Sequence, residues 1–157
     1  MIRTSLAALC FAALAGAASA ANLTAVQTVQ KVVETVDENG SAVEELVEAV
    51  TVAPGDTVVY ALNYSNSGLE SAEGVKLTMP VPEQVVLLEG SELVSGTVVT
   101  YSADGGATFI GRADLMVVED DVSRAATSDE ITHMQWYFED GIAAGEDGQV
   151  SFRGLLK

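Results

Sequence analysis

The sequence predicts an all-β protein with an N-terminal β-hairpin extension. Three observations carry that prediction. The apolar residues are mostly Val, Ala and Leu with Thr interleaved, the composition that suits a pleated, half-buried surface. They fall in short runs punctuated by Gly, Asn, Asp and Pro. Within the runs, apolar and polar side chains alternate with period two, so each strand has one face for a core and one for solvent.

Residues 1–20 stand apart from that pattern. Arg3, the apolar stretch 6–14 and the small residues Ala18-Ser19-Ala20 make up a secretory signal peptide, so the expected working molecule is residues 21–157, exported to the periplasm, cell surface or medium. Cys10, the one cysteine, lies in that leader. An exported domain without cysteine must be held by its apolar core. No later stretch is apolar and long enough to cross a bilayer, so no membrane insertion is expected once the leader is removed.

The elements follow in order. A Val/Thr-rich arm over residues 26–36 leads to the turn Asp37-Glu38-Asn39-Gly40 and a return arm that ends at Val52. Asn-Gly between β-branched arms is a hairpin signal. The return arm also carries a helical pattern, with a capping box at Ser41-Ala42-Val43-Glu44 and Val43, Leu46, Val47 and Val50 at helical spacing; the hairpin is the favoured reading of the two. Residues 57–64 alternate with Val58, Tyr60, Leu62 and Tyr64 on one face, and Asn66-Ser67-Gly68 turns the chain. Residues 75–79 form a strand stopped by Pro80 and Pro82, and residues 85–88 form a short one. Residues 97–102 and 107–110 are expected to pair across Asp104-Gly105-Gly106. Residues 115–118 precede the acidic loop Glu119-Asp120-Asp121. Residues 131–138 place Met134, Trp136 and Phe138 together, with Trp136 as the core anchor. Residues 148–153 close the set with Val150 and Phe152.

The turns and strand ends also carry a resemblance. Val52-Ala53-Pro54-Gly55-Asp56-Thr57-Val58-Val59-Tyr60, followed by Asn63-Tyr64-Ser65-Asn66-Ser67-Gly68, resembles the opening of the DUF11-type domain of bacterial surface proteins, in which a Pro-Gly-Asp turn starts a Tyr-bearing strand that ends in an Asn-x-Gly turn. Met79-Pro80-Val81-Pro82 is similar to that family's proline-bearing strand end, although Met79 stands where Asp or Asn is usual. Tyr101-Ser102-Ala103-Asp104-Gly105-Gly106, Ile131-Thr132-His133-Met134-Gln135-Trp136 and the stretch from Ala143-Ala144-Gly145 to Val150-Ser151-Phe152-Arg153 extend the resemblance to the C-terminus. It implies a bacterial exported protein with an immunoglobulin-like sandwich over residues 53–157, preceded by the arm of residues 21–52. It implies no activity, since a fold does not fix chemistry.

Charge and motifs narrow the function. A net charge of −16 repels phosphate backbones and anionic lipids, which argues against nucleic-acid and membrane-surface binding. His133 is the one histidine and there is no His-Glu-x-x-His, Gly-x-Ser-x-Gly or phosphate loop. No catalytic residue or cofactor is therefore expected, and the chain reads as non-enzymatic. The acidic loops offer oxygen ligands of the kind calcium takes, with Glu119, Asp120, Asp121 and Asp129 as candidate ligands converging from neighbouring loops. The favoured function is a structural or interaction module that pairs with itself or another protein by strand addition. Val26, Val29, Val32, Val33 and Val36 are its candidate residues, with Lys31 and Glu34 as guards against indiscriminate pairing. The alternative is a secreted carbohydrate-binding or hydrolytic domain working through paired carboxylates in acidic loops.

Overall fold

The structure is a computed structural model and describes residues 22–157; the expected signal peptide of residues 1–20 lies outside the described residues. Ten strands follow one another: β1 (Leu23–Val36), β2 (Ala42–Glu48), β3 (Thr57–Asn66), β4 (Lys76–Pro80), β5 (Val85–Leu87), β6 (Thr97–Ser102), β7 (Met116–Glu119), β8 (Val122–Ala125), β9 (His133–Phe138) and β10 (Asp147–Leu156), with a 3-10 turn at Arg112–Asp114 before β7. The protein is all-β. Every strand pair is antiparallel.

A five-stranded sheet in the order β2-β1-β3-β10-β5 packs against a three-stranded sheet in the order β4-β9-β6, and β7 and β8 form a separate ribbon. The expected alternation explains the core between them. Val58, Tyr60 and Tyr64 of β3 and Val150 and Phe152 of β10 meet Leu77 and Met79 of β4 and Met134, Trp136 and Phe138 of β9. Tyr60 stacks on Phe152 within the large sheet, and Tyr64 meets Phe138 edge to face across the sandwich, each with ring centroids 5.1 Å apart; both are favoured aromatic geometries. The arrangement also requires Gly148 in β10, because a side chain there would collide with the Tyr64 ring.

The N-terminal hairpin forms as expected, with Asp37 Oδ1 accepting the N–H groups of Asn39 and Ser41 to hold its turn. Its return arm is shorter than expected, ending at Glu48 rather than Val52. The helical pattern of residues 43–50 does not prevail: pairing with β1 supplies backbone partners that a short, mostly exposed helix would lack a core to reward.

Two further expectations are corrected. Residues 107–110 are not a strand; Ile110 alone makes a bridge to Tyr101. The intervening loop is built around Asp104, whose carboxylate accepts the N–H groups of Ala107 and Thr108 and the hydroxyls of Ser102 and Thr108. A side chain that satisfies so many donors competes with a sheet ladder. The acidic loop after β7 is instead a tight hairpin turn, with Asp120 and Asp121 both left-handed at φ 50° and 63°, as a two-residue turn demands. Finally, Asn66 is the buried last residue of β3 as well as the start of the turn, its Oδ1 accepting the Gly68 N–H.

Asn66 is the clasp at that end of the sandwich. Its side-chain amide donates to the carbonyls of Glu70, Ile142 and Ala143 at 2.9–3.1 Å, and its Oδ1 accepts the Gly68 N–H. Asn66→Asp keeps the shape but turns an oxygen toward those carbonyls. The expected result is a loss of about 3 kcal/mol, since each orphaned buried group costs ~1–3 kcal/mol, read from the midpoint of urea denaturation; an unchanged midpoint would contradict the clasp.

Candidate functional site

The feature that a partner could use is the staggered pairing of β1. Its first part pairs with β3, from Leu23 opposite Asn66 to Lys31 opposite Val58. Its second part pairs with β2, from Gln30 opposite Glu48 to Val36 opposite Ala42. β2 and β3 lie on opposite sides of β1, and they overlap along it at Gln30 and Lys31. Among the described residues, residues 23–29 therefore have no strand on the β2 side and residues 32–36 have none on the β3 side. Unpaired strand edges are templates for another strand.

The five valines named from the sequence divide between these two stretches. Val26 and Val29 lie opposite Asn63 and Tyr60 of β3. Val32, Val33 and Val36 lie opposite Leu46, Glu45 and Ala42 of β2. All five thus belong to an intramolecular strand that remains open along one side. Val26 and Val36 project outward, 62% and 70% exposed.

The two expected guards act differently. Lys31 does not face the open edge as a free charge; its Nζ donates to Asp56 Oδ2 at 2.7 Å, and the same oxygen accepts the Ala53 N–H. The Lys31 bond and then that N–H hold the Asp56 carboxyl below the usual range, and the pair anchors the chain where it enters β3. Glu34 faces Glu44 across the hairpin, an unfavourable like-charge pair. Arg153 Nη1 offsets it by donating to Glu44 Oε2 at 2.7 Å. Glu44, Glu45 and Glu48 give the outer strand β2 an acidic edge.

No protein-family model, curated protein or solved structure matches the chain.

The acidic loops are engaged in local structure. Arg124 lies between Glu119 and Glu130 and donates to both at 2.8–3.0 Å. That guanidinium, with the Thr127 N–H and hydroxyl, lowers the Glu130 carboxyl to about 2. Asp129 accepts the Thr127 hydroxyl at 2.6 Å, while Asp120 and Asp121 form the β7–β8 turn. Glu119, Asp120, Asp121 and Asp129 are thus spread over a strand end, a turn and a separate loop, and among the described residues no group of three or more acidic, His or Cys side chains is placed to hold a metal. The hydrogen bonds of Ser102 and Thr108 likewise pull the Asp104 carboxyl well below its ordinary value.

Two other features were not evident in the sequence. An open cleft of about 320 Å³ lies beside Asn22, Asn66, Leu69 and Glu70 at the end of β3, with one carboxylate in its lining. Glu92 is buried, its Oε1 accepting the Tyr101 hydroxyl at 2.5 Å and its backbone carbonyl accepting Trp136 Nε1 at 2.8 Å. The neighbouring Leu93 points outward, 70% exposed. His133 is half-buried in β9, and burial pushes its imidazole below the usual range.

Proposed function

We propose that this protein is a non-enzymatic, exported structural or interaction module that accepts a strand at the open edge of its large sheet. The observation that carries the reading is β1, a fourteen-residue strand paired along only part of each side. An added strand would gain backbone hydrogen bonds without any dedicated side-chain motif. Export rests on the signal-peptide pattern of residues 1–20, and a bacterial source on the resemblance to DUF11-type surface domains. Engagement of Asp104, Glu119, Asp129 and Glu130 in local hydrogen bonds supports a structural use of the acidic loops. The aromatic rings Tyr60, Tyr64, Tyr101, Trp136, Phe138 and Phe152 are buried, which also favours an interaction module over a sugar-stacking surface.

All of the described fold lies in residues 22–157, so the chain from Ala21 onward is the molecule to measure. Residue-resolved hydrogen exchange at micromolar concentration should show fast exchange at Leu23, Ala25, Gln27 and Val29, beside protected amides in β3 and β10. A synthetic peptide with the sequence of residues 22–30 should slow those four amides when added. Protection of the four without peptide, at a concentration where the chain sediments as a monomer, would mean that the edge is already covered, and would overturn the reading.

A further inference from the structure

We infer that the strand received at this edge is the same edge of a second copy of the chain, added antiparallel about a two-fold axis through Val26. The inference rests on the strand-addition reading above and names its partner. Two five-stranded sheets would then become one continuous sheet across the axis.

The backbone fixes which groups are offered. Along a strand, N–H and C=O groups of successive residues point to opposite sides. Asp37 N–H donates to Ser41 O at 2.9 Å, toward the β2 side, and Asn22 O accepts the Ser67 N–H at 3.0 Å, toward the β3 side. Counting along β1 from either end gives the same result: Leu23, Ala25, Gln27 and Val29 direct their backbone groups to the open side. Thr24, Val26 and Thr28 direct theirs to β3.

The sequence of the open stretch suits pairing with itself. With Val26 opposite its own copy, Ala25 faces Gln27, Thr24 faces Thr28 and Leu23 faces Val29. The four residues with available backbone groups then face one another as hydrogen-bonded pairs. Val26 meets Val26, and Thr24 meets Thr28, in the closer non-hydrogen-bonded pairs that favour β-branched side chains. The slot also has ends, since β2 stops opposite Gln30 and the strand begins at Leu23. It accommodates the seven residues of the partner's matching stretch.

Charge selects this edge over the outer edge of β2. Residues 23–30 carry no charge in a chain of net −16, so two copies can approach there without opposed carboxylates in the ladder. Pairing through β2 would bring Glu44, Glu45 and Glu48 of two copies together, the usual protection of a strand edge. The outward exposure of Val26 is relieved by the same contact.

Sedimentation of the chain from Ala21 onward, from micromolar to millimolar, should show a monomer–dimer equilibrium that tightens with added salt, because screening weakens repulsion between two acidic bodies. Val26→Lys places like charges at the axis and should raise the dissociation constant at least tenfold while leaving the circular dichroism spectrum unchanged, since Val26 is an exposed outward residue. Val26→Cys should give a disulfide-linked dimer on mild oxidation, the cysteines facing each other at a separation close to that of a disulfide. Val36→Cys, exposed but away from the axis, should give little. Persistent monomer at millimolar concentration, a dimer insensitive to Val26→Lys, or equal crosslinking at Val36 would each overturn the inference. None of these results would make the four edge amides slow in the dilute monomer, so failure here is distinct from failure of the strand-addition reading.

Discussion

Replacing Trp136 by alanine should lower stability by about 3–5 kcal/mol, the range for removing a large aromatic side chain from a core. Trp136 is fully buried at the centre of β9, where Leu77 of β4 and Val99 of β6 flank it. The loss comprises both a cavity and the bond from Nε1 to the Glu92 carbonyl. A domain of this size has about 5–15 kcal/mol in total, so the variant should be partly unfolded well before the parent in a urea titration followed by circular dichroism. Trp136→Phe should fall between the two, since it retains most of the volume and forfeits the hydrogen bond. A Trp136→Ala midpoint within error of the parent would show that β9 is not the keel of the sandwich.

The second large effect is expected at Tyr101. Its hydroxyl donates to Glu92 Oε1, while Glu92 Oε2 has no hydrogen-bond partner among the described residues. Burial, reinforced by that bond and the nearby carboxylates, pushes the Tyr101 phenol far above its ordinary range, so it stays a donor at any ordinary pH. Tyr101→Phe leaves the buried Glu92 side chain without its donor and should cost about 3 kcal/mol, the upper end for orphaning a buried acceptor. Removing both partners should be less harmful than the single change predicts, because the buried polar group goes with its donor. Thermal melts of Tyr101→Phe, Glu92→Leu and the double variant measure this coupling. If the two single losses simply add, the pair is not coupled in the way its geometry indicates.

How far the fold could be read from the sequence differs by element. Strand β9 was legible because large apolar side chains alternate with polar ones over its whole length, and the first hairpin because Asn39-Gly40 separates β-branched arms. Strand β8 was not: Val122-Ser123-Arg124-Ala125 holds one large apolar residue, and its partner is set by the turn at Asp120 and Asp121. Residues 107–110 misled for the opposite reason, since two glycines signal a tight turn equally when a carboxylate such as Asp104 organises a wider loop. Glu92 and Leu93 reverse the ordinary preference of their types, one inside and one outside, and only the tertiary positions of Tyr101 and Trp136 explain it. The arm of valines was legible as strand, but its open stretch was not, because that depends on where β2 ends.

The same arrangement determines how the molecule would bear tension. β1 and β10 flank β3 and both run antiparallel to it. Leu23 lies at the Asn66 end of β3, whereas Leu155 lies at the Thr57 end. A pull between the two termini therefore slides β1 and β10 lengthwise past β3, loading every hydrogen bond of two long ladders at once rather than peeling them apart one by one. Anchored at its ends, the chain would behave as a stiff link, with rupture set by the collective shear of its central strand.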